Sequence, residues 1–425
     1  MMGDRSSSNA ITTPQTGTSV RIWIVLVFLL AAPLALRAAS PQFEDSPIFV
    51  SGHDGINTYR IPSIIATSNG TILVFCEGRR DSYVDGTATN LVLKRSLGNS
   101  VASIPAHGSK TAGSPTRGEK MIWQPMQVLL ATKAGEAYMN PVPIIDKRDG
   151  TIFLLVNYYP QPYQDVPAHT WMMKSHDEGA TWSPPTDISS GTGLKELGPG
   201  IGIQMQNGRL VAATYDGVIF SDDHGKTWKS GGKVVGHYTE TQVVELVNGS
   251  LMLNIRHGGH RVVALSKDGG ETWGKPWTDP ALIEPENWEG CQASLIRYTR
   301  KRDGSSKDRL LFADPASPKD RLDMTVRVSY DEGQTWPVSR LIEKGRGGYS
   351  SLAVLPDRTI AMVYEGGTTS NGVENNFGKI SFARFNLEWL TNGQDQLKDG
   401  HDGRQDRAAR SGARESVPTS GAKTE

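Results

Sequence analysis

The sequence predicts an all-β protein, a six-bladed β-propeller, and two internal repeats carry that prediction. The first is the motif Ser-x-Asp-x-Gly-x-Thr-Trp, and the second is a two-residue turn signal followed by an apolar run. Repeats that return every few tens of residues indicate an architecture built from one structural unit. The four copies of the motif are Ser175–Trp182, Ser221–Trp228, Ser266–Trp273 and Ser329–Trp336.

The residues of the motif are those of a tight turn. Its Asp accepts backbone N–H groups within the turn, its Gly supplies a positive φ, and its Ser and Thr add local hydrogen bonds. Its Trp then packs a large ring against the next sheet. We therefore interpret all four copies as structural turns without a catalytic role.

The second repeat predicts the strands. Asn-Gly and Asp-Gly between apolar runs are the strongest short signals of a β-hairpin. The run before each turn is a first strand, the run after it is a second, and a third leads into the motif, which turns the chain into a fourth. Six such units predict six blades. The turn pairs are Asn69-Gly70, Asp149-Gly150, Asn207-Gly208, Asn248-Gly249, Asp303-Gly304 and the less regular Asp357-Arg358.

The blades follow one another along the chain. Blade six has no motif after its third strand, so we expect Pro47–Val50 to supply its fourth strand and close the ring. Blade one also lacks the motif, and the Ser-, Gly- and Pro-rich segment Leu97–Lys120 is predicted to be a long surface loop there. The expected blade starts are Tyr59, Asn140, the neighbourhood of Gly200, Glu240, Cys291 and Tyr349.

The two ends of the chain differ from the repeats. Arg21, the apolar run Ile22–Leu36 and the small residues that follow it predict a signal peptide or signal anchor in residues 1–40. We expect a secreted, periplasmic or cell-surface protein, without stable membrane insertion once the signal is cleaved. The predicted propeller fills residues 41–391, and the charged, Gly-rich segment 392–425 is predicted to be disordered.

Charge and cysteine content exclude several functions. The formal net charge is +0 and no basic stripe is present, so nucleic acids and anionic membrane surfaces are not expected partners. The two cysteines, Cys76 and Cys291, form neither a disulfide framework nor a metal-ligand spacing. We expect no metal and no organic cofactor.

Arginines, carboxylates and a tyrosine gather on the face opposite the hairpins. The hairpins and the motifs share one face, so the other face holds the starts of first strands and the ends of second strands. Three well-separated arginines there predict an anion-binding mouth, because like charges repel unless an anion lies between them. The polar residues at these positions are Arg60, Arg79, Asp81, Asp85, Glu240, Arg256, Arg321, Tyr349 and Glu365.

These residues resemble the exo-α-sialidase (neuraminidase) family, over about Pro47 to Leu390. The Ser-x-Asp motifs (Asp boxes) also occur in other propellers, so the Arg-Ile-Pro at Arg60 and the order of the polar residues along the blades are more specific. The resemblance implies that the substrates are sialylated glycoconjugates. The ordered set is Arg60, Asp85, Glu240, Arg256, Arg321 and Tyr349.

The resemblance also implies a role for each residue. Arg60, Arg256 and Arg321 would bind the carboxylate of sialic acid. Tyr349 would be the nucleophile, with Glu240 as its base. The remaining roles are an acid/base at Asp85, an orienting partner for Arg60 at Glu365, a contact with the C4 hydroxyl at Arg79 and a place near the N-acetyl group at Asn140.

A tyrosine suits this chemistry because sialic acid carries a carboxylate on its anomeric carbon. A carboxylate nucleophile would approach against like charge, and a neutral phenol avoids that repulsion. Free tyrosine has a pKa of about 10, so it needs a base within hydrogen-bond reach. The acid/base carboxyl protonates the leaving oxygen and later deprotonates water, which gives retention.

Two other functions remain open at the level of sequence. The same site could perform trans-sialidase or intramolecular trans-sialidase transfer, since the choice of acceptor lies in the rim of the pocket. A non-catalytic glycan-binding propeller would need the arginines but not Tyr349, Glu240 and Asp85. The presence of all three favours an enzyme.

Overall fold

The computed structural model describes residues 42–97, 121–133, 135–160, 166–368 and 374–397. Strands dominate these ranges, and the two helices within them are single turns, α1 (Ser189–Thr192) and α2 (Leu387–Leu390). Two 3-10 turns occupy Asn287–Glu289 and Lys301–Asp303. None of the helices in the described ranges is long and apolar enough to cross a membrane.

Six four-stranded antiparallel blades follow one another in chain order, so the predicted fold class is confirmed. The first strand, β1 (Phe43–Val50), belongs to the last blade. Blade one comprises β2 (Thr58–Ala66), β3 (Ile72–Arg79), β4 (Thr89–Ser96) and β5 (Gln127–Leu130). Blade two comprises β6 (Ala137–Ile145), β7 (Ile152–Tyr159), β8 (His169–Ser175) and β9 (Thr186–Asp187). Blade three comprises β10 (Ile203–Gln204), β11 (Leu210–Thr214), β12 (Gly217–Ser221) and β13 (Lys229–Lys233).

Of the remaining three blades, blades five and six share a long strand. Blade four comprises β14 (Thr241–Glu245), β15 (Leu251–Ile255), β16 (His260–Ser266) and β17 (Trp277–Ile283). Blade five comprises β18 (Ser294–Thr299), β19 (Arg309–Pro315), β20 (Leu322–Ser329) and the first half of β21 (Val338–Val354). Blade six comprises the second half of β21, β22 (Ile360–Thr368), β23 (Glu374–Phe385) and β1.

The ring closes through the pairing of the two ends of the domain. Strand β1 runs antiparallel to β23, with Phe43 opposite Phe385. The predicted closing strand is therefore confirmed, and it is longer than the predicted Pro47–Val50. Blade six thus contains both the first and the last strands of the propeller.

All six predicted turn pairs join a first strand to a second. The second residue of each pair has a positive φ, from 66° at Arg358 to 96° at Gly208. Glycine adopts this conformation without a steric penalty, which explains its presence at five of the six turns. The sixth turn uses Arg358, whose carbonyl accepts a hydrogen bond from the Tyr298 hydroxyl at 2.8 Å.

The four Asp boxes form the predicted turns between third and fourth strands. In the third copy, Asp268 accepts hydrogen bonds from the backbone N–H of Thr272 at 2.9 Å and from its hydroxyl at 2.5 Å. The hydroxyl of Ser266 accepts the N–H of Gly270 at 2.8 Å. The bonds from Thr272 and Ser266 lower the pKa of Asp268 to about 2.

Each box packs against the preceding blade, whereas the sequence suggested the next one. Gly179 lies so close to Leu73 of blade one that a Cβ would come within 2.2 Å of that side chain. Trp182 then meets Phe75 edge-on, with 5.8 Å between ring centroids. The turn itself lies on the preceding blade, so its ring has that blade within reach. The same relation holds for Trp228 with Phe153, Trp273 with Gly232 and Trp336 with Asp279.

The core lies between the blades. Six clusters of buried apolar residues each join two neighbouring blades, and together they encircle the ring. Strand β3 is buried along its whole length, while the outer strand β9 is exposed. Inner strands that are covered on both faces have continuous apolar sequences, which is why these strands could be recognised in the sequence.

The ordered domain runs past the predicted boundary at residue 391. Buried Asp395 pairs with buried Arg309, with two N–O distances of 2.8 Å. Residues 392–397 of the segment predicted to be disordered are therefore part of the described structure. The predicted signal at 1–40, the rest of the tail and residues 98–120 of the predicted loop lie outside the described residues.

Candidate active site

The face opposite the hairpins holds a cavity of about 450 Å³. Five residues predicted from the sequence line it, and they come from four different blades. The ring of blades therefore brings together side chains that are far apart along the chain. The five are Arg60, Asp85, Arg256, Arg321 and Tyr349.

A bulge in the first strand of blade one aims Arg60 at this cavity. Between Arg60 and Ser63, β2 advances by three residues while β3 advances by two. Ile61, inside the bulge, has a φ of 56°. Bulges re-aim side chains and are common beside active sites. The first strands of blades two and six shift register in the same way near their starts.

Glu365, fully buried near the end of β22, fixes two of the lining residues. Its Oε1 accepts hydrogen bonds from Nε of Arg60 at 2.9 Å and from the N–H of Ile61 at 2.8 Å. Its Oε2 accepts the N–H of Tyr349 at 3.0 Å. The predicted contact between Glu365 and Arg60 is present, and it orients this guanidinium before any ligand arrives.

The Tyr349 hydroxyl lies between a carboxylate and a guanidinium. It donates to Oε1 of Glu240, and Nη1 of Arg256 donates to it at 3.0 Å. The same nitrogen binds Oε2 of Glu240 at 2.5 Å. Burial, followed by the charge of Glu240, raises the pKa of Tyr349 above its ordinary value, although the nearby arginines oppose the rise. The phenol is therefore neutral, with an acceptor for its proton already in place.

Arg60 and Arg321 flank the ring of Tyr349. Their guanidinium carbons lie 5.0 and 5.3 Å from its centroid, within the range of a cation–π interaction. Burial alone would lower the pKa of Arg60, but the charge of Glu365 raises it above its ordinary value. Together with Arg256, these cations form a positive pocket suited to a carboxylate.

Asp85, on the loop between β3 and β4, faces the arginines. Its Oδ1 lies 2.6 Å from Nη2 of Arg79 and 3.8 Å from Nη1 of Arg60. Burial tends to raise the pKa of Asp85, but the charges of Arg79 and Arg60 outweigh it and hold this pKa below its usual value. The side chain remains 56% exposed, so it is open to both solvent and ligand.

Arg79 and Asn140 lie beside the cavity and not in its wall. Arg79 is fully buried, binds Glu77 at 2.7 and 2.9 Å, and reaches the cavity through Asp85. The backbone N–H of Asn140 donates to Glu77 at 3.0 Å, and its side-chain amide donates to the carbonyl of Leu197 at 3.0 Å. The structure does not bring these two predicted substrate contacts into the wall, because each is engaged with a neighbouring group.

The wall contains further residues that sequence reasoning missed. The ring of Phe377 lies 4.1 Å from the guanidinium carbon of Arg60 and stacks with Tyr83 at 5.9 Å. Of the segments that contain these residues, only the loop around Asp85 was identified from the sequence, and Tyr83 lies two positions before Asp85 in that loop. The residues missed are Tyr83, Val84, Trp288, Arg346, Asn376 and Phe377.

This arrangement can hold an anion and attack the carbon that bears it. Three guanidinium groups supply paired N–H donors for a carboxylate. A neutral hydroxyl with a base beside it is an activated nucleophile, and a carboxyl facing it can act as acid and base. Fold and cavity together define a class of β-propeller in which an anion-binding site lies beside an activated hydroxyl.

Comparisons with known proteins agree with that class. A family model described as a BNR repeat-like domain matches residues 110–363. A sialidase of Micromonospora viridifaciens is 32% identical over 82% of this chain and 55% of its own length. The chain thus spans about half the length of that relative. An exo-alpha-sialidase of Arthroderma benhamiae is 30% identical over 82% of this chain and 88% of its own.

A solved structure described as Hadza microbial sialidase Hz136 aligns with a TM-score of 0.67 at 28% identity, covering 81% of this chain and 69% of its own. The chain belongs to the sialidase family with BNR repeats. The family suggested by the sequence is thereby confirmed.

Proposed function

We propose that the protein is an exo-α-sialidase. It would hydrolyse terminal α-ketosidically linked sialic acids of glycoproteins, glycolipids and oligosaccharides with retention. One observation carries this proposal: the Tyr349 hydroxyl is bound to Glu240 in a cavity lined by Arg60, Arg256 and Arg321. A protein that only bound glycans would need the arginines but not a tyrosine with its own base.

The three arginines position the reacting carbon. The carboxylate of sialic acid is attached to the anomeric carbon, so binding it among the guanidinium groups directs that carbon towards Tyr349. The phenol attacks while Glu240 accepts its proton, and the bond to the leaving oxygen breaks. The product of this step is a covalent sialyl-tyrosine.

Asp85 acts first as an acid and then as a base. In the unliganded site, the charges of Arg79 and Arg60 favour its ionised form. A substrate carboxylate at Arg60 adds negative charge and competes for that arginine, which raises the pKa of Asp85 and favours its protonated form. Asp85 then protonates the leaving oxygen, and it later deprotonates the water that releases sialic acid.

Hydrolysis of an aryl α-sialoside, followed by NMR, tests the proposal. We expect the α-anomer of free sialic acid to appear first and to mutarotate afterwards, and Tyr349→Phe to release little product. The β-anomer as first product would contradict retention. A product without incorporated water would show intramolecular transfer, and binding without turnover would show a glycan-binding propeller.

A further inference from the structure

Two of the three arginines predicted to bind the substrate carboxylate contact one short loop, residues 288–290, which we call the carbonyl loop. Arg256 donates from Nε to the carbonyl of Glu289 at 3.1 Å and from Nη2 to the carbonyl of Trp288. Arg321 donates from Nε and Nη2 to the carbonyl of Gly290 at 3.3 and 3.1 Å. Three consecutive carbonyls therefore direct guanidinium groups that come from two different blades.

The backbone of the carbonyl loop is strained. Trp288 and Glu289 have φ values of 62° and 53°, and Gly290 has a φ of 86°. Residues with a Cβ avoid this region because the Cβ approaches a carbonyl oxygen. Such conformations persist only where the surrounding contacts fix the backbone. The loop therefore needs an anchor.

Glu284, fully buried at the end of blade four, provides that anchor. Its Oε2 accepts the N–H of Cys291 at 3.2 Å, directly after the loop, and Nη1 of Arg261 at 2.9 Å. Its Oε1 accepts the N–H groups of His257 and Gly258 at 2.8 and 3.0 Å. One carboxylate thus holds the backbone on both sides of the Arg256–loop contact.

Arg261 completes the network. It is fully buried and donates to the carbonyl of Cys291 at 2.6 Å and to Oδ1 of Asn254 at 2.7 Å. The fit leaves no room for a larger residue at position 290, because a Cβ on Gly290 would come 2.4 Å from Oε2 of Glu284. A change at Glu284 would therefore displace the carbonyl groups of the carbonyl loop.

We propose that Glu284 is a positioning residue for the binding of the substrate carboxylate. By fixing the carbonyl loop, it sets the spacing and direction of Arg256 and Arg321. Glu365 serves Arg60 in a comparable way, through direct hydrogen bonds. This inference rests on the proposed sialidase function, since the carboxylate is the group that these arginines would bind.

The substitution Glu284→Gln tests the inference. It replaces one acceptor oxygen with an NH2 donor, which cannot accept from either pair of buried donors. We expect the affinity for an unsaturated sialic acid analogue, measured by calorimetry, to fall about tenfold or more because the guanidinium groups are displaced. The KM for an aryl sialoside should rise more than kcat falls.

The methyl ester of the same analogue supplies a readout that a purely structural role would not change. The ester lacks the charge that the arginines recognise, so the ratio of acid affinity to ester affinity should shrink in Glu284→Gln. Asp395→Asn is the matched control, because it also removes a carboxylate from a buried pair, with Arg309 on the hairpin face. It should lower stability and leave the ratio unchanged.

Gly290→Ala displaces the carbonyl loop directly, and it decides the question if Glu284→Gln does not fold. It should show the same reduced ratio. A wild-type ratio in Gly290→Ala or in folded Glu284→Gln would overturn the role of Glu284. Wild-type protein that neither hydrolyses the sialoside nor binds the analogue would overturn the proposed function instead.

Discussion

The hydroxyl of Tyr349 donates a hydrogen bond to Glu240, and this contact joins the inner strand of blade six to the start of blade four. Arg256 touches both partners, at 3.0 Å from the hydroxyl and 2.5 Å from the carboxylate. Because burial raises the pKa of Tyr349, the phenol keeps its proton until a base takes it. In the proposed mechanism, the reactivity of Tyr349 therefore depends on Glu240.

Substitution of the acid/base residue should affect substrates unequally. Asp85→Ala should reduce the hydrolysis of natural sialosides by about 10²–10⁴-fold, because their leaving oxygens need a proton. Aryl sialosides with good leaving groups should lose far less. Asp81→Ala is the control, since Asp81 is exposed in the same loop. Equal losses on both substrate types, or a larger selective loss in Asp81→Ala, would count against Asp85.

Arg321→Lys should weaken carboxylate binding by about tenfold or more. A lysine keeps the charge but cannot present a planar pair of N–H groups while also donating to the carbonyl of Gly290. The inhibition constant of an unsaturated sialic acid analogue measures the effect. Arg346→Lys is the control, because Arg346 lines the same cavity but is paired with Asp320 at 2.5 Å. Wild-type affinity in Arg321→Lys would remove this arginine from the carboxylate site.

Substitution within an Asp box should affect stability and leave chemistry intact. Asp268→Ala removes the acceptor of two hydrogen bonds from Thr272, so the free energy of unfolding should fall by about 1–2 kcal/mol in denaturant titrations. The exposed neighbour Lys267 offers a control, because Lys267→Ala should change the free energy of unfolding little. Unchanged unfolding together with lost turnover in Asp268→Ala would contradict the structural role of the box.

The boxes should also make the fold sensitive to acid. The pKa values of Asp177, Asp223 and Asp268 are about 2 in the folded protein, against an ordinary value of 3.8. A lowered carboxyl pKa gives stability that is present above the unfolded value and is lost as pH falls through the folded value. The free energy of unfolding should therefore decline from pH 3.8 towards about 2, less steeply in Asp268→Asn. An equally steep decline in that variant would show that Asp268 does not contribute to the acid sensitivity of the fold.

Sequence reasoning succeeded where local chemistry decides the structure. The hydrogen bonds that the Ser and Asp side chains make within each Asp box join residues at most four positions apart, so the turn at Asp268 is visible in the sequence alone. The six turn pairs then fix the order of the strands. Since that order determines which strand ends meet, it also predicted that Arg60, Arg256 and Tyr349 would share one mouth.

The rest depends on contacts between distant segments. Asn140 was expected near the substrate. It lies in the bulge of β6 with a φ of 54°, and its side-chain amide donates to the carbonyl of Leu197. Phe377 reaches Arg60 from the third strand of another blade. The positive φ at Trp288 runs against local preference and depends on the loop's contacts. No local pattern contains these relationships.

Covalent labelling of Tyr349 tests the proposed mechanism most directly. A sialosyl fluoride with a second fluorine beside the anomeric carbon should form the intermediate and slow its breakdown, because the fluorine destabilises an oxocarbenium-like transition state. Mass spectrometry of the digested protein should place one sialyl group on Tyr349, with no label in Tyr349→Phe and slow labelling in Glu240→Gln. A label on a carboxylate such as Asp85, or near-normal hydrolysis by Tyr349→Phe, would contradict the tyrosine mechanism.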